Sequence, residues 1–196
     1  MRMETTLQEP GSEIANMAFK EWAVVCEEMG AGRQSLILRK GGIAEGRKGF
    51  SFEHESFFLF PTWFHEQVKL TTLPQDTVLP PAPTDTLEIR YSATVEWAQL
   101  ITDWDQVRAL EGHHCYSEKA LRDRFDYDEI KGIYLAYVRV FRLEPPARIA
   151  NEKRYGGCRS WTKLLPEISG APQPVLNDLE NTERRNQIRQ ILGLPV

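Results

Sequence analysis

Leu87, Ile89, Tyr91, Ala93, Val95 and Trp97 alternate with Glu88, Arg90, Ser92, Thr94 and Glu96 without a miss. A period of two belongs to a strand, whose successive side chains point to opposite faces. A chain with such a segment must pair it in a sheet that has a buried face. Ile133–Leu143 is a second β-rich run, with Pro145-Pro146 expected to end it. Gln34–Arg39 reads as a short apolar strand broken by Lys40-Gly41-Gly42. Phe50, Phe52 and His54 alternate with Ser51, Glu53 and Glu55, and Phe57–Phe60 reads as strand buried on both faces.

Helical spacing appears elsewhere. Ala18, Trp22, Val25, Cys26 and Met29 recur at three and four, which predicts a helix from Asn16 to Gly30. Further helices are expected over Trp63–Leu70 after a Thr62 cap, Asp103–Leu110, Ser117–Phe125 and Asp178–Leu192. The elements mix without a regular βαβ order. The expected class is therefore α+β, with a mixed or largely antiparallel sheet that can curl toward a barrel and helices flanking it.

The chain has 196 residues, 41% hydrophobic and 27% charged, which is globular composition. Its apolar runs, such as Trp22–Cys26, fall far short of the roughly 18 residues of a membrane span. No secretory leader is evident. Cys26, Cys115 and Cys158 make no CxxC pair and no even framework, so free thiols in a reducing cytoplasm are expected. Residues 1–16 read as a flexible tail. Prolines 74, 80, 81 and 83 make 71–86 the best linker, between lobes 17–70 and 87–196 of one domain.

Net charge is −4, which argues against nonspecific coating of nucleic acid. The basic residues are nevertheless concentrated. Arg33, Arg39, Lys40, Arg47 and Lys48 face only Glu45 within 31–50. Arg139, Arg142, Arg148, Lys153, Arg154, Arg159 and Lys163 face Glu144 and Glu152 within 139–163. Basic segments on an acidic body point to a local anion site, and the arginine fork suits phosphate oxygens. The competing explanation is that these arginines pair with nearby acids.

Two glycine pairs lie in these segments. In Arg39-Lys40-Gly41-Gly42 the glycines can turn amides toward an anion while the cations add charge. In Tyr155-Gly156-Gly157-Cys158-Arg159-Ser160-Trp161, Arg159 can hold a phosphate while Tyr155 or Trp161 stacks a base. Neither matches a Walker loop or a dinucleotide fingerprint. Cys158 is a candidate nucleophile, and His54 with His65 a candidate acid–base pair. Each has a plain alternative: Cys158, Trp161 and His54 as packing, and the glycine pairs as turns. His65-Glu66 lacks the second histidine of a zinc protease motif, and no metal site is assigned. Glu129-Ile130-Lys131 with Asp103, Asp105 or Asp128 has a nuclease-like order, but one such match is what chance supplies.

The runs RKGGIAEG (39–46), FSFEHESFFLFPTWFH (50–65) and YGGCRSW (155–161) are long and specific. They resemble a bacterial family of uncharacterised proteins, over about Ala18–Leu165. The resemblance implies no activity. Some members of that family sit beside restriction-endonuclease-like domains, which implies a link to restriction-modification or other DNA-related defence.

Three functions remain in view. The first is a nucleic-acid-binding or accessory protein holding phosphates with both arginine–glycine segments. The second is an enzyme acting on a small phosphorylated or nucleotide-like ligand. The third is a protein-interaction module. The first two require the two segments to converge, within roughly one Debye length of 10 Å. No cofactor or oligomeric state can be read from the residues.

Overall fold

The computed structural model describes residues 16–40, 52–168 and 170–196. The expected tail up to residue 15, and Gly41 and Gly42, lie outside the described residues. The elements run β1 (Met17–Trp22), α1 (Ala23–Gly30), β2 (Leu36–Arg39), β3 (Ser56–Thr62), β4 (Thr86–Ile101), α2 (Trp104–Arg108), α3 (Glu118–Phe125), β5 (Ile133–Ala150), β6 (Trp161–Lys163), β7 (Ala171–Pro174) and α4 (Asp178–Ile191). The class is α+β. The sheet order is β2-β5-β4-β3-β1-β6, with β7 also on β5. Only β1 and β3 run parallel. The sheet is open and does not close into a barrel, because β2 and β6 do not pair.

The alternating segment becomes β4, 16 residues long, and its antiparallel ladder with β5 is the spine of the sheet. β5 does not stop at Pro145-Pro146 as expected. Its register against β4 shifts there, from Ile89 opposite Ala147 to Tyr91 opposite Arg142. Prolines in that irregularity forfeit no ladder bond to β4, so the strand survives them.

Phe57 and Leu59 face the main core with Phe19, while Phe58 and Phe60 face a smaller cluster with Ala18, Leu87, Ile89 and Tyr155. Burial on both faces explains four apolar positions in a row. Each ring fully withdrawn from water contributes about 1.5–3 kcal/mol.

One expected helix forms only in its second half, and another does not form. The predicted helix from Asn16 is strand through Trp22 and helix only from Ala23. Parallel pairing of Ala18–Trp22 with Phe58–Thr62 overrides the helical spacing. Beyond Thr62 there is only a 3-10 turn at Val68–Leu70. Phe52 and His54 precede β3 without being strand. The later helices form close to expectation, with Asp103, Ser117 and Asn177 as side-chain caps. Among the described residues no helix is long and apolar enough to cross a membrane.

Candidate functional site

β2 and β6 are the ends of the sheet path, yet they approach each other along a seam. Arg39, at the end of β2, donates from Nε to Ser160 Oγ at 3.2 Å, just before β6. Its guanidinium carbon lies 5.7 Å from the centre of the Phe19 ring. On β1, alternation puts Phe19 and Glu21 on one face and Lys20 on the other. The Lys20 backbone N–H donates to Ser160 O at 2.8 Å. Its Nζ donates to Gly156 O and Gly157 O, each at 3.1 Å.

Lys20, Arg39 and Arg159 therefore gather where the two basic segments meet. Burial pulls the Lys20 ammonium below the usual lysine range. The charge of Arg159 pulls it further, the nearby Cys158 opposes this, and Arg39 adds to the lowering. Among the described residues none of these three cations has a carboxylate within 4 Å. Elsewhere the competing explanation holds: Arg148 pairs with Glu88, Arg154 with Glu152 and Arg139 with Asp178.

Beside the cations, Trp161 is half-buried. Phe19 and Phe57 pack on it at ring distances of 5.0 and 5.1 Å, and His54 meets it edge-on at 4.8 Å. Its indole N–H is buried with no hydrogen-bond partner among the described residues. A buried unpaired donor costs about 1–3 kcal/mol. Cys158 is exposed, and Arg159 donates to Arg154 O at 3.3 Å.

Other expected site residues fall away from this arrangement. Tyr155 cannot act as a base platform: it is 3% exposed, packs on Phe60 and exchanges hydrogen bonds with the Leu165 backbone. His54 and His65 do not form a pair, because they lie beyond opposite ends of β3, a separation of roughly 20 Å for its length. Lys40 turns away to Asp128, at 2.9 Å, and to Ile130 O. The Gly156 amide is spent on Lys153 O, and the pair offers its carbonyls to Lys20 instead of amides to an anion. The nuclease-like residues serve as structure: Asp103 caps α2, Asp128 holds Lys40 and Lys131 pairs with Asp126. Among the described residues no group of three or more His, Cys, Asp or Glu is placed to hold a metal ion.

The sequence reading overlooked Lys20, which a helical reading of 18–29 hid. It also overlooked a buried brace beside the seam. Glu21, wholly buried, accepts from Trp22 N at 2.7 Å and Tyr116 Oη at 2.9 Å, with Arg124 Nη2 at 4.0 Å. Arg124 also donates to Leu38 O at 2.6 Å and lies over the Trp22 and Tyr116 rings. Its planar fork thus ties α3 to both β1 and β2. Burial pushes the neighbouring His114 down to about 4, so it is neutral at pH 7.

Among curated proteins, none matches this chain. Among solved structures, the chain is similar to ASCH from Zymomonas mobilis. That crystal structure aligns at 13% identity and a TM-score of 0.45, over 87% of this chain and 93% of that one. A serine-to-alanine mutant of the same protein aligns at 13% identity and 0.46, over 90% and 97%. The model of DUF1802, a domain of unknown function, spans residues 18–187, and the chain belongs to that family.

Proposed function

We propose that the protein binds nucleic acid at the seam between β2 and β6, with Arg39 and Arg159 directed at backbone phosphates, the buried Lys20 adding positive charge behind them, and Trp161 beside them for a base. The observation that carries this reading is the gathering of three cations without a carboxylate partner among the described residues. Uncompensated positive charge is what a polyanion neutralises, with release of its counterions. The resemblance-based link to restriction-modification makes DNA the first probe, with RNA beside it.

A second reading keeps the same cations and makes the ligand a small phosphorylated or nucleotide-like molecule. His54, edge-on to Trp161, favours it as a candidate acid–base group on the same side of the seam as that ring. His65 has no part in it.

Fluorescence anisotropy with labelled single- and double-stranded oligonucleotides tests both. The expected result is affinity that falls as salt rises, with loss of binding in an Arg39→Ala, Arg159→Ala double variant. Competition by free mononucleotide at similar affinity would favour the small ligand. Undiminished binding by the double variant would remove the seam from either reading.

A further inference from the structure

Residues 77–84 arch over a cleft floored by α1, β3, β4 and β5. One lobe has a volume of about 630 Å³, and a second of about 680 Å³ shares Glu27, Pro80, Pro81, Arg90 and Tyr91 with it. These volumes are those of small-molecule sites. The roof is pinned at its middle and at its C-terminal end. The Trp63 indole N–H donates to Pro80 O at 3.0 Å. Asn151 Nδ2 donates to Thr84 O at 2.9 Å, and the Asn151 amide to Asp85 O at 2.9 Å. The cleft is thus preformed rather than waiting on a ligand to close it.

Its polar side is a row of alternating charge. Glu27 pairs with Arg90 at 3.4 Å, Arg90 with Glu88 at 3.1 Å, and Glu88 with Arg148 at 3.0 Å. Tyr91 Oη donates to Glu27 at 3.3 Å. Arg148 and Arg90 hold the Glu88 carboxyl below its usual range, so it stays ionised. The row sums to zero charge and holds every charged residue that lines the first lobe, where the ligand is placed; Arg142, which donates to Gly30 O, lines only the second. A charged ligand would have to break one of these pairs, whereas a neutral one would not. Glu88 Oε2 already accepts twice from Arg90, and its Oε1 is faced by Nε and Nη2 of Arg148. Each Glu27 oxygen accepts once, from Arg90 and from Tyr91, and keeps a lone pair, and Arg148 is 74% exposed with N–H groups to donate. The opposite side is apolar: Leu59, Pro61, Trp63 and the rings of Pro80, Pro81 and Pro83.

We propose that this cleft binds a neutral ligand carrying a vicinal diol on a ring with one apolar face, the chemistry shared by a free sugar and the ribose of a nucleoside. The diol donates to Glu27 and accepts from Arg90 or Arg148. The apolar face lies against Trp63 and the prolines. This is a different requirement from that of the seam, which has uncompensated positive charge and selects an anion.

The test is NMR titration of the full chain with glucose, adenosine and 2′-deoxyadenosine, read at the Trp63 indole and the Arg148 side chain. None of these probes carries a phosphate, so the outcome does not depend on the seam. Saturable shifts are expected with a diol-bearing probe. They should weaken about tenfold or more in Glu27→Gln and persist in Arg159→Ala. Binding by adenosine alone, weakened by loss of the 2′-hydroxyl, would assign the diol to a nucleoside; binding by glucose would assign it to a sugar. The proposal is overturned if none of the probes gives saturable shifts, or if the shifts survive both Glu27→Gln and Arg148→Met. The spectra of these surface variants report their folding directly.

Discussion

Arg39 and Ser160 lie 121 positions apart in the chain and 3.2 Å apart in the fold. Their contact is a side-chain bridge across a seam where the sheet has no main-chain pairing. The bond uses Arg39 Nε and leaves both Nη groups without a hydrogen bond to a described residue. A guanidinium fixed by one N–H with others free is well placed to take an oxyanion in its fork.

If that fork meets phosphate, Arg39→Ala and Arg159→Ala should each weaken oligonucleotide binding uniformly across sequences. Each should also lower the slope of log affinity against log salt by about 1. Arg108→Ala, whose side chain pairs with Asp105, should change neither. Anisotropy titrations at several salt concentrations measure both quantities together. Equal slopes in all variants would contradict the phosphate role.

His114 makes stability depend on pH with a defined sign. Its folded value of about 4 lies below the ordinary 6.5. Between those values the unfolded chain binds a proton that the folded chain refuses, so acid favours unfolding. The loss begins as pH falls through about 6.5 and is complete near 4, at most on the order of 3 kcal/mol. Urea midpoints across that range should show a steeper fall in the wild type than in His114→Gln. Parallel curves would mean that His114 titrates normally.

The buried brace should be sensitive to loss of a single oxygen. Tyr116→Phe removes a hydrogen bond to the wholly buried Glu21 carboxylate. A bond to a charged group is worth roughly 1.5–3 kcal/mol, and the fold should lose about that much. The denaturation midpoint should drop at unchanged m-value. A change below about 0.5 kcal/mol would show that the carboxylate has another partner.

Gly30 is required by Tyr91. A Cβ at position 30 would fall 2.0 Å from Tyr91 Cζ and 2.2 Å from Cε1. Gly30→Ala must therefore displace the ring and its bond to Glu27, at a cost of about 1–3 kcal/mol. Adding Tyr91→Ala should make the glycine substitution nearly neutral. A double-mutant cycle reads the coupling. No coupling would place the Tyr91 ring elsewhere.

The three cysteines should separate cleanly by reactivity. Cys158 is exposed, whereas Cys26 and Cys115 are buried, and burial pushes the Cys115 thiol up to about 12 and Cys26 up as well. One thiol should react in the folded protein and the other two only on unfolding. Mass spectrometry after brief alkylation locates the site. An added oligonucleotide should slow Cys158 alone, because the thiol sits beside Lys20.

Local pattern determined much of this protein. The alternation from Leu87 to Trp97 specifies a strand in any context, because period two is a property of the segment itself. Asp103 and Ser117 mark helix starts through bonds made within the next few residues. The quoted motifs identified a family of unknown function, and the charge pattern singled out Arg39 and Arg159. Pairing over long separations decided the rest. Ala18–Trp22 has helical spacing but is strand, because it lies parallel to β3 some 40 positions away. That one change puts Lys20 beside Gly156 and Gly157 and buries Glu21 against Tyr116. No sequence rule places a glutamate in a core when its partners are 95 and 103 residues distant. Tyr155 and Trp161 looked alike as aromatic residues near an arginine. Only the packing of Phe60 on one and His54 on the other separates core from seam. A segment's period is carried by its own residues, but the face it buries depends on which distant strand it meets.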